Sequence, residues 1–268
     1  MGKITAIKKL KRLYRIDLCD LEQEKIYVCE DTIVHFFLNV DKSLSQEELT
    51  EITTFDHFAQ GKSLALYYIS FKMRTSTEVK KYLQEHDIPS EQIEQIIAVL
   101  IENNLINDLS YAENFIQGKI SMASSGPYQI KQKLLTKGID NNLITQALDE
   151  FYNEEEQIEV AYKLAEKLVR SSAHRLTLNQ LKQKILQSLM NKGFSYSISS
   201  ISLDSLALTA DEENETELLY TELDKVAKRY SRSYDGYERK QKITQALARK
   251  GFDYDDINSA LRDYTFEP

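Results

Sequence analysis

"YQIKQKLLTKGIDNNLITQALDEF" runs from Tyr128 to Phe151, and "ERKQKITQALARKGFDYDDINSALRDY" runs from Glu238 to Tyr264. Both read as a helix, a Lys-Gly pair, an apolar residue, a polar cap and a second helix. Taking Gly138 as anchor, Gly193 and Gly251 are its equivalents, and Asp87 is a looser one. Eight residues before the anchors stand Val79, Ile130, Ile185 and Ile243; four before stand Leu83, Leu134, Leu189 and Leu247. One after stand Ile88, Ile139, Phe194 and Phe252; ten after stand Ile97, Leu148, Leu203 and Leu261. All sixteen positions are apolar, and the anchors are 51, 55 and 58 residues apart, so the chain carries diverged repeats with small insertions.

The physics of one copy follows from these offsets. Positions eight and four before the anchor share a helix face. Glycine at the anchor takes the left-handed conformation that ends a helix, which Asp87 tolerates better than most residues would. Pro89, Asp140, Ser195 and Asp253, two residues after the anchors, suit a helix start. A further helix is expected before each pair, over about 63–72, 108–121, 154–172 and 214–233. Three helices alone bury little, whereas stacked units share a core, so the pattern predicts a mainly α chain of about four tandem three-helix repeats forming an elongated, curved body.

The first forty residues differ. "ITAIKKLKRLYRIDLCD" and "EKIYVCEDTIVHFFL" are rich in Ile, Val, Tyr and Phe, and "DLEQE" separates them. They read as two or three antiparallel strands, a small N-terminal β extension. Ser45 with Glu48 is a capping box opening a short helix. The expected organisation is therefore 1–58 for the extension and short helix, then repeats over 59–107, 108–152, 153–210 and 211–268.

Composition limits the function. No apolar run approaches the ~20 residues that a membrane helix needs, and the basic start lacks the apolar core of a secretory signal. Cys19 and Cys29 read as reduced thiols that could face each other across a hairpin, in a cytoplasmic protein. The four histidines are scattered, Cys-x-x-Cys is absent, and no phosphate-binding loop or nucleophile elbow occurs. "GKS" at Gly61–Ser63 reads as a helix start. No catalytic residue, metal or cofactor is expected. Net charge is −8, which argues against a chain that binds nucleic acid with its whole surface.

Charge is unevenly spread. "MGKITAIKKLKRLYRI" has six basic residues and no acid, and Lys225 to Lys250 has nine against Asp235 and Glu238. "TADEENETE", Thr209 to Glu217, is acidic and reads as a junction that opens the next long helix. The basic clusters either form solvated faces that protect strand edges or meet DNA phosphates or an acidic protein surface.

Three stretches resemble the RecX family, regulators of the RecA recombinase. "LINDLSYAENFI" (Leu105–Ile116) is similar to the family's motif at Asp108, Tyr111, Ala112 and Phe115. "GPYQIKQKLLTKGI" (Gly126–Ile139) is similar at Gly126, Ile130, Leu134, Lys137, Gly138 and Ile139. "ALYYISFKMRTSTEVKKYL" (Ala65–Leu83) resembles the first helical motif through Arg74, Thr75 or Ser76, and Glu78. The chain departs where the family often has two acids and here has Asn107-Asp108, and where a usually basic loop carries Lys119 alone. Tyr111, Phe115, Ile130 and Leu134 read as core.

The resemblance implies an inhibitor lying along RecA filaments on single-stranded DNA, with weak direct DNA contact at most; together with the absence of catalytic motifs it implies a non-enzymatic protein, and with no dimer surface legible in the sequence a monomer is the default expectation. Candidate contacts are Lys8, Lys9, Lys11 and Arg12 in the strands, Lys72 and Arg74 in the first repeat, and Lys131 and Lys133 in the second. Arg170 and Arg175 in the third, and Lys240, Lys242 and Arg249 in the last, complete the set. The alternative is a helical-repeat protein acting on single-stranded DNA without RecA.

Overall fold

The computed structural model describes residues 2–266, so the outer limits 1 and 268 of the expected segments lie outside it. The chain opens with β1 (Gly2–Lys9), β2 (Tyr14–Cys19) and β3 (Lys25–Val28), followed by α1 (Glu30–His35) and β4 (Ser43–Leu44). The sheet is antiparallel in the order β3-β2-β1-β4, with Lys8 opposite Arg15 and Lys9 opposite Tyr14. Its inward residues Ile4, Ile16, Leu18, Ile26 and Val28 form one core with Leu38, Leu44, Leu49 and Ile52. Among the described residues everything after β4 is helix or turn.

Two expectations for this region change. "EDTIVHFFL" is not strand beyond Val28: Glu30–His35 is a helical turn. The cause is tertiary. Buried Asp56 accepts hydrogen bonds from the Cys29 N–H (2.7 Å) and the Thr32 hydroxyl (2.7 Å), which gives this short helix a partner that local sequence does not reveal. The cysteines are both free and do not face each other: Val28, beside Cys29, pairs with Tyr14, at the opposite end of β2 from Cys19. Burial pushes the Cys29 thiol pKa up.

The short helix expected at Ser45 and the helix expected over 63–72 are one element, α2 (Gln46–Ser70). The Ser45–Glu48 capping box is present. Gly61 is therefore mid-helix rather than a helix start, and residue 58 lies within α2. A Cβ at Gly61 would come within 2.5 Å of the Ile96 side chain, so close helix packing explains this glycine.

The remaining helices are α3 (Ser76–Gln84), α4 (Ser90–Glu102), α5 (Asp108–Ser121), α6 (Pro127–Thr136), α7 (Asn141–Phe151) and α8 (Glu154–Ser172). After a 3₁₀ turn at Ala173–Arg175 come α9 (Leu178–Asn191), α10 (Tyr196–Asp204), α11 (Glu212–Tyr230), α12 (Gly236–Arg249) and α13 (Tyr254–Asp263). The anchors behave as the offsets require. Asp87, Gly138, Gly193 and Gly251 have φ of 59°, 78°, 92° and 88°. The apolar residues eight and four before each are fully buried in all four copies. Ser195 accepts from the Ile198 N–H, and Asp253 from the Asp255 N–H.

The chain forms two compact units. The first holds the sheet, α1 to α4, the start of α5, and Leu134–Ile144; the second holds Phe115–Lys133 and everything from Thr145. Within the first, Val79, Leu83, Ile93, Ile96 and Leu100 close a core with Ala65 of α2. Within the second, Leu219, Leu223, Ile243, Leu247, Ile257 and Leu261 do the same for α11 to α13.

Candidate partner interface and the joints between repeats

The Lys-Gly turn joins one repeat to the next. At the first joint the Thr75 hydroxyl donates to the Lys137 carbonyl (2.9 Å), and the Thr77 hydroxyl to the Gly138 carbonyl (3.1 Å). At the second, the Gly126 N–H donates to the Lys192 carbonyl (2.7 Å), and the Tyr128 N–H to the Gly193 carbonyl (3.1 Å). At the third, the Gln180 amide donates to the Lys250 carbonyl (2.5 Å), and the Asn179 amide to the Gly251 carbonyl (3.4 Å). In each case two carbonyls at a helix end meet the first turn of α3, α6 or α9. Helix ends carry unpaired carbonyls, and each joint gives two of them donors: backbone N–H groups at the start of α6, and side chains at the starts of α3 and α9.

A second contact recurs. Asp108, which opens α5, accepts from the Ser76 N–H (2.8 Å) and hydroxyl (2.5 Å). Glu215, in the first turn of α11, accepts from the Leu178 N–H (2.6 Å). These N–H groups belong to the first residues of α3 and α9. α6 instead starts with Pro127, which has no N–H to satisfy.

Lys137 adds charge across the first joint, whereas Lys250 makes its ion pair inside the last repeat. Lys137 meets Glu78 at 2.5 Å, and Lys250 pairs with Glu222. Burial pushes the Glu78 carboxyl up, but hydrogen bonds from Lys137 and the Thr75 N–H, with the charges of Lys137 and Arg74, outweigh it and hold the pKa below the ordinary carboxylate value. Hydrogen bonds from Lys225 and Lys250 lower that of Glu222. The family-like residues Glu78, Asp108, Lys137 and Gly138 thus converge on one joint. Ile130 and Leu134 are core, while Tyr111 and Phe115 are half-buried.

The candidate contact residues divide by geometry. Lys8, Lys9, Lys11 and Arg12 are all exposed and lie together at the β1–β2 hairpin, whose turn is closed by the Leu10 N–H on the Leu13 carbonyl (2.8 Å). Arg15, absent from the expected set, pairs across the strands with Lys8 and is held by Asp17 at 3.0 Å. Lys9 sits 3.9 Å from Glu30. Lys72 is exposed after α2; Arg74 is half-buried, its guanidinium 3.9 Å from the Tyr68 ring centroid.

The helical candidates are more dispersed. Lys133 is exposed and Lys131 half-buried on α6. Two residues apart on a helix is about 200° of rotation, so the pair does not make one face. The same holds for Lys240 and Lys242: Lys240 is exposed beside Tyr237, whereas Lys242 lies 5.7 Å from the Tyr234 ring. Arg249 is exposed near the end of α12. Arg170 is engaged by Glu166 at 2.8 Å, and Arg175 is exposed in the 3₁₀ turn. The hairpin is the densest grouping of these candidates.

Among the described residues there is no cluster of three or more His, Cys, Asp or Glu placed to hold a metal ion. No described helix is long and apolar enough to cross a membrane.

Comparison with known proteins places the chain. The model of the first three-helix domain of RecX matches residues 62–100, that of the second matches 107–148, and that of the third matches twice, over 154–200 and 212–261. The double match fits the repeat count derived from the anchors. "Regulatory protein RecX" of Lactococcus lactis subsp. cremoris (strain SK11) is 74% identical over 267 residues, 99% of either chain. That of Streptococcus gordonii is 48% identical over 262 residues, 98% of this chain and 99% of the relative. A crystal structure of regulatory protein RecX superposes with a TM-score of 0.62 at 34% identity, covering 76% of this chain and all of that one. RecX from Lactobacillus salivarius gives 0.54 at 38% identity, covering 57% and 99%.

Proposed function

Because this chain belongs to the RecX family of regulatory proteins, we propose that it is a non-enzymatic negative regulator of the RecA recombinase. It binds along RecA filaments on single-stranded DNA and either blocks their activity or promotes their disassembly. The observation that carries this reading is similarity over essentially the full length to proteins named as RecX regulators.

The physical features agree with an interaction protein. Its conspicuous polar networks bind one repeat to the next rather than converging in a cleft. The hairpin groups cations on a chain whose net charge is −8. A local patch of that kind attracts an acidic surface or phosphates without making the whole protein a nucleic-acid binder. Inhibition then comes from many modest contacts, the basic residues of the repeats adding to those of the hairpin.

Sedimentation tests the binding step. RecA assembled on single-stranded DNA with a slowly hydrolysed nucleotide is pelleted in the presence of this protein. Co-pelleting with the filament, and not with DNA alone at the same salt, is the expected result. Absence from the filament pellet at equal concentrations overturns the reading.

A further inference from the structure

The C-terminal half of α2 is apolar on both of its sides. Leu64, Ala65, Tyr68 and Ile69 pack into the core of the first helical repeat. The opposite stripe, Ser63, Leu66, Tyr67, Ser70 and Phe71, recurs at intervals of three and four and is exposed throughout. A surface helix ordinarily carries charge on its outward face, and a helix that is apolar all round is ordinarily buried. Here no charged residue stands between Lys62 and Lys72. Phe71, the C-cap, keeps right-handed helical geometry, and Met73 lies just beyond it. Tyr67 is 60% exposed, Phe71 66% and Met73 50%.

Two cations edge this patch. Lys72 and Arg74 make no salt bridge among the described residues, although the charge of Arg74 reaches Glu78. The Arg74 guanidinium lies on the Tyr68 ring, and Tyr68 is stacked on Tyr82 at 4.1 Å with the planes 3° apart. The Arg74 Nε–H is buried without a hydrogen-bond partner. The guanidinium is thus positioned by rings, and no carboxylate has taken it. No acid stands between Asp56 and Glu78 in a chain whose net charge is −8. The segment therefore departs from the rest of the chain in charge as well as in polarity.

We propose that this patch anchors the chain on a protein subunit of the RecA filament, in a groove with an apolar floor and carboxylates at its rim. The inference rests on the filament reading and adds to it an apolar contact that the basic residues do not supply. Exposed apolar patches rimmed by polar residues mark such interfaces, and aromatic residues, Met and Arg are enriched at their centres. Tyr67 and Phe71 meet edge to face, 4.9 Å apart at 86°, and form one ridge. Leu66 and Met73 extend that ridge with side chains that have no ring to stack on a base, so a nucleic-acid strand would use only part of it. A second copy placed face to face would set Lys72 and Arg74 against their own counterparts.

The test is co-sedimentation with RecA filaments over a range of salt that leaves the filaments intact, the wild type beside Y67A/F71A and K72E. The three substituted side chains are exposed, and circular dichroism confirms that both variants fold. Y67A/F71A is expected to need about tenfold more protein for half-saturation, a deficit that persists as salt rises. The deficit of K72E is expected to shrink as salt rises, because exposed charges are screened. Wild type in the pellet with folded Y67A/F71A binding equally well overturns the proposal and leaves the filament reading standing. Wild type absent from the pellet overturns both. A Y67A/F71A deficit that vanishes with salt overturns the apolar contact, and an equal deficit on single-stranded DNA without RecA assigns the patch to nucleic acid instead.

Discussion

Gly193→Val is expected to remove about 3–9 kcal/mol of stability, read from urea unfolding followed by circular dichroism. Three costs add. A β-branched residue is forced to the Gly193 φ of +92°, a conformation that costs of order 1–3 kcal/mol. Its Cβ would stand 2.5 Å from the Gln129 backbone nitrogen, and relieving such overpacking costs roughly 1–3 kcal/mol more. The shift that relieves it breaks the hydrogen bonds from Gly126 and Tyr128 to the Lys192-Gly193 turn, each worth about 0.5–1.5 kcal/mol. That total is a large part of the roughly 5–15 kcal/mol that stabilises a typical domain. Gly251→Ala is the internal comparison. Its φ is similar, but the added Cβ would lie 3.4 Å from Thr177, so only the backbone cost of about 1–2 kcal/mol applies. Equal losses from the two substitutions would show that the turn conformation matters and the joint does not.

Reversing Lys8, Lys9, Lys11 and Arg12 together to Glu is expected to abolish nearly all inhibition of RecA, raising the concentration for half-inhibition at least about tenfold; single reversals act modestly. The four side chains are exposed, while the sheet is held by Ile4, Ile16, Leu18, Ile26 and Val28 beneath them, so the fold survives. The change in net charge is matched by a control that reverses the exposed Lys81, Lys163, Lys167 and Lys228. Loss of inhibition in the hairpin variant alone places the contact at the hairpin. Full inhibition by a folded hairpin variant removes it from the mechanism, and equal loss in both variants reduces its role to long-range charge.

The repeats are legible in the sequence because their determinants are local. A glycine with positive φ, two apolar residues one and two helical turns before it, and a polar cap two residues after it all lie within one short stretch. The joints are not legible in this way. Thr75 and Lys137 are 62 residues apart, and Gln180 and Lys250 are 70 apart. Nothing near Thr75 indicates that its hydroxyl serves another repeat. In the sequence Tyr111, Phe115, Ile130 and Leu134 read as core, and Glu78, Asp108 and Lys137 have no role beyond the motifs they match; these three are joint residues. Gly61 misleads for a related reason: its partner Ile96 is remote, and only the packed helix explains the missing Cβ. The basic clusters divide similarly. Lys8 to Arg12 are neighbours in space because a hairpin turn gathers them, whereas Lys240 and Lys242 are neighbours in sequence on different helix faces.

The central claim is that this chain regulates RecA filaments, and the most direct measurement is the single-stranded-DNA-dependent ATPase rate of RecA with this protein added well below the RecA concentration. Loss of most ATPase activity at that ratio is the predicted result, because one regulator then silences many subunits of a filament. An unchanged rate, even at equal concentration with RecA from the same organism, contradicts the claim.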